Sequence, residues 1–432
     1  MTKKVIGFYT ATSIVIANMV GTGVFTSLGF QVLGIHSVFA LLLLWFVGGV
    51  VALCGALCYS ELAAAMPRSG SEYHYLSKIY HPAVGFLSGW VSMTVGFAAP
   101  VALSAILMGG YVSKVLSEVN ATWLAVIVVI IITAIHSLSL KTGGRFQNIF
   151  TSLKILLILF IIISGFILPA HQAIQLMPDK SAFSEIMSSS FVISLFWVSY
   201  SYSGWNASAY IAGDIESPKK NVPRSLFAGT FFVAILYIML NFIFLYTTPI
   251  PAMAGQKEVG FVAANYIFGN IGGAMISLII ALLLVSSVSS MVIAGPRVAQ
   301  VMGEDNSLLR FLSIKNKSMI PFVAILFQSA ISIVLIITST FEQVLIYVGF
   351  TLNIFTFLTV LGLIVHRIKY PNVERPYKTW GYPVTPLIFL SVTLWILYYG
   401  LVSRPYESLI GIATVLSGLI VYYWGRKKST IY

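Results

Sequence analysis

The chain has 432 residues, 58% of them hydrophobic and 9% charged, against about 25% charged in an ordinary soluble domain. This composition excludes a soluble globular protein and indicates a polytopic membrane protein. The net charge of +12 does not indicate a nucleic-acid partner, because the basic residues are placed as topology signals.

Apolar stretches predict twelve spans, at 6–34, 38–66, 83–113, 122–140, 147–169, 189–213, 225–248, 271–302, 320–339, 344–366, 384–402 and 408–425. Each is long enough for the roughly 20 residues that cross a bilayer. With the N-terminus inside, 20 of the 25 basic residues fall in cytoplasmic segments and four (Lys114, Lys180, Lys257, Arg404) outside. That asymmetry is the positive-inside rule; it predicts both termini in the cytoplasm of a cell-membrane protein. Lys3 and Lys4 run straight into the first span without a small-residue cleavage site, so no signal peptide is expected.

The first span contains IVIANMVGTGVFTSLG, residues 14–29, with Gly21 and Gly23 flanking Thr22. Glycine in a helix interior costs about 1 kcal/mol relative to alanine, and lipid cannot satisfy the backbone groups that a break exposes. The motif is either a seam for close helix packing or a broken helix around a substrate site. Cys54 and Cys58, four apart on the second span, share a helix face as small packing residues. After Pro67 and Gly70, Ser71–Tyr80 predicts a short amphipathic helix. Glu61 lies near a span end, where a solvated or cap-bonded role is expected. His136, near the end of the fourth span, reads as a structural histidine. Lys154 falls roughly 10 Å into the fifth span at 1.5 Å per residue, either as a functional group or with its stem snorkelling to the headgroups.

The sixth span carries WVSYSYSGWNASAY, residues 197–210, with Gly204 as the expected pivot. Gly21 and Gly204 lie 183 residues apart, each in the first span of a five-span half. Interruptions at corresponding positions of two halves are the best sequence pointer to a transporter binding site. Pro218 and Pro223 are expected to stop a helix. Residues 257–273 predict a short external helix. Ser286, Ser287, Ser289 and Ser290 cluster in the eighth span, as interhelical glue or as oxygen ligands for a cation. Residues 367–386 form a basic, proline-rich loop.

GTGVF (21–25), SELAAAMPRSGSEYHYL (60–76), QNIFTSLK (147–154), SYSGWNASAYIAGDIESPKKNVPRSL (201–226), AGPRVAQVMGEDNSL (294–308) and ERPYKTWGYPVTPL (374–387) together resemble the amino acid–polyamine–organocation superfamily. Within it the chain is similar to bacterial relatives of the L-type amino-acid transporters. The resemblance implies an all-α LeuT-type fold with twelve transmembrane helices and broken helices 1 and 6. It also implies one transporter domain over 1–432: inverted five-helix repeats at about 6–170 and 189–366, and peripheral helices at 384–425.

By resemblance, the amides of Gly21, Thr22 and Gly23 would hold the substrate carboxylate. Carbonyls near Met19, Tyr200 and Ser203 would take the α-ammonium, with Tyr200 as an aromatic gate. Gly204 would be the hinge, and Asn206 would order the unwound segment. Lys154 would stand where sodium-coupled relatives bind Na⁺, reaching a carbonyl near Asn18 or Met19 and the hydroxyl of Ser286 or Ser287. Tyr237 matches a tyrosine near this network in some relatives. Relatives that dock on a glycoprotein heavy chain use a cysteine in the loop corresponding to Ser117–Asn120; this chain has none there, so no disulfide-linked subunit is expected.

These readings give a sodium-independent transporter of neutral L-amino acids, small to medium like alanine or serine, without cofactor or metal. The acidic residues all fall in loops or near span ends, so no carboxylate is expected to greet a cationic side chain. Exchange with a permanently charged Lys154 and proton symport through a titrating Lys154 both remain open. A membrane amino-acid sensor and a polyamine or amine transporter are the remoter alternatives. No nucleophile–base pair, metal cluster or phosphate-cradling loop suggests an enzyme.

Overall fold

The computed structural model describes residues 6–138, 143–168, 172–316 and 320–429; Lys3, Lys4, Lys141 and Lys317 lie outside them. The described residues form a helical bundle. The first span is broken into α1 (Phe8–Met19) and α2 (Gly23–Gln31). Then come α3 (Val38–Ala65) and α4 (Glu72–Ile79), followed by α5 (Pro82–Val91) and α6 (Ala98–Ser113), α7 (Ala121–Leu138) and α8 (Gly143–Ile167). The second half holds α9 (Lys180–Ile186), α10 (Ser189–Tyr202), α11 (Ala207–Tyr210), α12 (Pro218–Thr247) and α13 (Ile250–Met253). It ends with α14 (Val259–Asp305), α15 (Phe322–Thr338), α16 (Phe341–Lys369), α17 (Val384–Ser403) and α18 (Pro405–Ser429).

Ten stretches are long and apolar enough to cross a membrane, and the α9–α10 pair, bent by 66°, makes an eleventh. The twelfth expected span is α15, an apolar helix of 17 residues. Bulky side chains face outward where lipid would lie, among them Ile127 and Ile130 on α7 and Leu156 and Phe160 on α8. Inward, α3, α10 and α12 meet through Trp45, Tyr202 and Tyr237, whose rings lie 5.1–6.1 Å apart. Tyr202 also donates to the Trp45 carbonyl at 3.0 Å.

Four elements depart from expectation. The third span is not one regular helix: α5 passes into α6 through a wide π-helical turn at Ser92–Gly96. Pro218 and Pro223 do not stop α12. Pro218 occupies its first position, where the missing N–H is not needed, and Pro223 follows near the start. The sixth span does not run on to residue 213, because α10 stops at Tyr202 and only the four-residue α11 follows the break. The external helix and the eighth span form one run, turned at Gly269 with φ 73°, a conformation glycine adopts without strain.

Glu61 is neither solvated nor a cap. It is 1% exposed and accepts from Arg367 Nε at 2.8 Å and Nη2 at 2.6 Å. The Thr379 amide donates to it at 2.7 Å, and Arg375 Nε lies 3.4 Å away. Arg367 also stacks 3.7 Å over the Tyr382 ring. The carboxylate thus pins the basic loop to the end of α3 across more than 300 residues of sequence. Glu61→Ala is expected to lower stability by about 3 kcal/mol, the lower end for removing one partner of a buried pair, because Arg367 keeps some exposure. Thermal unfolding of the purified protein against wild type measures this.

Candidate substrate site

The two breaks lie against each other. Gly204, at φ 96°, packs so closely on Asn18 that a β-carbon there would fall 2.7 Å from the Asn18 carbonyl. Positive φ and this approach together require glycine. On the same interface Thr22 Oγ1 and the Tyr200 hydroxyl share a hydrogen bond of 3.0 Å, and Ser27 Oγ lies 2.8 Å from Ser201 Oγ. Further along, Phe30 stacks on Trp197 with centroids 4.2 Å apart.

The carbonyls freed where α1 ends are taken up by two long side chains. Lys154 Nζ donates to Val20 O at 3.1 Å and to Ser287 Oγ at 2.7 Å. Tyr237 Oη donates to Met19 O at 2.6 Å. Lys154 is 3% exposed, so its ammonium is not snorkelling. A cation beside the last carbonyls of a helix also meets the negative end of its dipole. The carbonyl reached is that of Val20, not of Asn18 or Met19, and Ser286 turns back to Leu283 O at 2.7 Å instead of joining Ser287. On the other side of the break, no backbone carbonyl among the described residues accepts from the Gly21 or Thr22 amides. These N–H groups stand at the N-terminus of α2, a natural anion site.

A cavity of about 180 Å³ is lined by Asn18, Tyr200, Ser203, Gly204 and Asn206, with Glu72 on its wall. Met19, Gly21, Thr22 and Gly23 are not part of that lining; the Tyr200 hydroxyl bonded to Thr22 is what connects the glycine motif to it. Of the carbonyls expected to meet an ammonium, Met19 O is held by Tyr237, and Tyr200 O accepts the Ser203 amide at 2.9 Å. Each retains a second lone pair.

Glu72 is the residue that the sequence reading missed. It is 3% exposed, and its Oε1 accepts from Tyr59 Oη at 2.9 Å and from Asn206 Nδ2 at 2.7 Å. Asn206 therefore orders the second break by tying it to α4. A carboxylate does reach the cavity wall, contrary to the expectation that all acids stay at its margins. The signal was present: Glu72, Tyr75, Leu76 and Ile79, the buried residues of α4, follow the i, i+3, i+4, i+7 spacing of an inward helix face. His136, by contrast, does what was expected of it, packing in the bundle with Nε2 2.7 Å from Ser289 Oγ.

Two interrupted helices meeting beside a buried cavity, within a bundle of apolar helices, are the construction of a secondary transporter. The chain matches the amino acid permease family over residues 6–421 and belongs to it. It is 30% identical to the large neutral amino acids transporter small subunit 2 of Mus musculus, over 98% of this chain and 81% of that protein. The Homo sapiens counterpart is also 30% identical, with 98% and 80% covered. The b(0,+)-type amino acid transporter 1 of Mus musculus is 28% identical, with 98% and 88% covered.

The two motif glycines have different surroundings. A β-carbon on Gly23 would collide with the Ser201 backbone and hydroxyl, whereas on Gly21 the nearest heavy atom is Met19 O at 3.9 Å. Gly23→Ala is expected to cost about 1–3 kcal/mol of stability through overpacking, and Gly21→Ala to stay within about 0.5 kcal/mol of wild type. Parallel thermal unfolding of the two variants tests the difference.

Proposed function

We propose that this amino acid permease is a sodium-independent transporter of neutral L-amino acids, small to medium like alanine or serine, working by alternating access and one-for-one exchange. The observation that carries the reading is the Lys154 ammonium, held by Val20 O and Ser287 Oγ. Those are oxygen ligands of the kind a sodium ion would take, and the lysine nitrogen already occupies them. The amides at Gly21–Gly23 receive the substrate carboxylate, and the Ser203 side of the second break receives the ammonium. Tyr200 closes over the bound molecule, and Gly204 is the hinge.

Neutral substrates remain the best reading despite Glu72. One of its oxygens is committed to Tyr59 and Asn206, and the other, which has no hydrogen-bond partner among the described residues, is buried out of reach of a cationic side chain. The relatives named for large neutral amino acids agree with a neutral substrate. The two halves, 6–170 and 189–366, act as inverted repeats with 384–425 at the periphery. The protein resides in the cell membrane with both termini in the cytoplasm. It works without a disulfide-linked subunit, its two cysteines being buried on α3.

One observation favours a second reading, proton symport: among the described residues no carboxylate pairs with Lys154. Radiolabelled alanine uptake into sodium-free proteoliposomes separates the two. Exchange predicts uptake only into vesicles preloaded with unlabelled amino acid; accumulation in empty vesicles under an inward proton gradient would replace it with symport. No uptake of any neutral amino acid under either drive would refute the substrate assignment. Lys154→Ala removes two charge-assisted hydrogen bonds at the break and is expected to slow exchange about 10- to 100-fold, read in the same vesicles.

A further inference from the structure

Away from the substrate cavity, a groove of about 460 Å³ lies between α4 and the end of α16, lined by Met66, Arg68, His74, Lys78, His366 and Tyr370. Arg68 and Lys78 bring positive charge to it and His74 and His366 bring imidazoles, contributed by the segment before α4, by α4 itself and by α16, and no carboxylate is among its described lining residues. Of the acids near the groove, Asp305 reaches Arg68. It accepts from Tyr73 Oη at 2.9 Å and lies 3.7 Å from Arg68, a pair between largely exposed groups that contributes little. Glu61 is already engaged by Arg367 and Arg375, and Glu374, next to the lining Val373, pairs with Lys219 at 3.7 Å. Lys369 donates to the Ile79 carbonyl at 3.2 Å, adding another cation at the end of α4. The helix packed on the other flank, α5, has no ionisable side chain.

We infer that this groove binds a phosphate-bearing anion, with Arg68 and Lys78 as its principal contacts. Arg68 offers a planar fork of donors and Lys78 a point charge, the pairing that suits phosphate oxygens. Basic pockets between membrane helices hold anionic headgroups in this way. Tyr370 and Val373, both part of the lining and about 40% exposed, supply an apolar surface for an acyl chain, whereas a free phosphate would use the charged groups alone.

The surroundings of His74 register the same field. Burial and the charges of Arg68 and Lys78 hold its imidazole down to about 4, with Asp305 opposing. An anion in the groove offsets the part of that shift due to Arg68 and Lys78 and favours the imidazolium. Binding therefore takes up a proton, and affinity rises as pH falls from 7 to 5. Occupancy also has a route to the transport machinery. Gly70 N donates to Tyr210 O at 3.1 Å, Gly213 N to Ser69 Oγ at 3.0 Å, and Glu72 holds Asn206. An anion that draws Arg68 and Lys78 toward α16 clamps the segment that carries the second break.

The test uses the full-length protein in micelles, with phosphatidylglycerol, phosphatidylcholine and inorganic phosphate as probes. Native mass spectrometry counts retained lipids, and calorimetry follows phosphate. Wild type is expected to retain phosphatidylglycerol over phosphatidylcholine, more tightly at pH 5 than at pH 7. The double variant Arg68→Gln, Lys78→Gln is expected to lose about tenfold or more in affinity, and Lys220→Gln, Arg224→Gln, with the same change in charge, to lose none. Arg68→Lys, Lys78→Arg keeps the charges and retains binding, which separates charge from folding, and His74→Ala flattens the pH dependence. Displacement of the lipid by inorganic phosphate identifies a free anion as a competent ligand; calorimetric binding of phosphate without lipid selectivity does so as well. Selective lipid retention that phosphate does not displace identifies the headgroup. Equal retention in the groove and control variants, or neither lipid selectivity nor phosphate binding in wild type, overturns the inference.

Discussion

The structure depends on how one interrupted helix keeps its backbone satisfied away from water. Where α1 ends at Met19, its last carbonyls have no partner further along the chain, and in an apolar bundle an unsatisfied carbonyl costs several kcal/mol. The Lys154 ammonium and the Tyr237 hydroxyl meet Val20 O and Met19 O directly. Each reaches in from a different helix, so the break is also where α1, α8, α12 and, through Ser287, α14 are joined. The arrangement is reciprocal: a buried ammonium is itself expensive, and the helix end supplies the negative partial charge that offsets it. With the carbonyl side occupied, the amide side of the same break is left to meet an anion.

The second break follows from the first. Its pivot, Gly204, rests on Asn18, its Tyr200 bonds Thr22, and its Asn206 is held from behind by Glu72. A motion that opens one break must therefore disturb the other, which is what alternating access around a shared site requires. Glu72 and Lys154 are a buried acid and a buried base beside the breaks, one for each. Both are anchored by hydrogen bonds to neutral partners, so their charges shape the backbone and need not confront the substrate. The Glu61–Arg367–Arg375 cluster fixes the outer frame against which these pieces move.

Much of this was legible because it violates the local rule for an apolar span. Glycines flanking Thr22, the polar run before Ala207 and a lysine within the fifth span all stand out against their surroundings, and each marks a contact of the site. Features without such a contrast were not legible. The π-helical turn at Ser92–Gly96 involves ordinary residues, and the turn at Gly269 sits in a stretch where one glycine among several adopts positive φ. Glu61 and Arg367 lie far apart in sequence, so nothing local marks either as the other's partner. The choice of Val20 over Met19 by Lys154 depends on how α1 ends, a difference of one residue that composition does not encode. Glu72 was legible in principle from helical spacing, but an acidic residue beside a loop reads first as solvated.

The central claim is that the two breaks form one amino-acid site, with the carboxylate on the first and the ammonium on the second. Competition against labelled alanine uptake tests this most directly, using propionate, which lacks the ammonium, and ethylamine, which lacks the carboxylate. The account predicts that unlabelled alanine competes fully while neither fragment competes at the same concentration, because each leaves one break unfilled. Competition by ethylamine equal to that of alanine would contradict it, since the glycine amides of the first break would then have no carboxylate to hold.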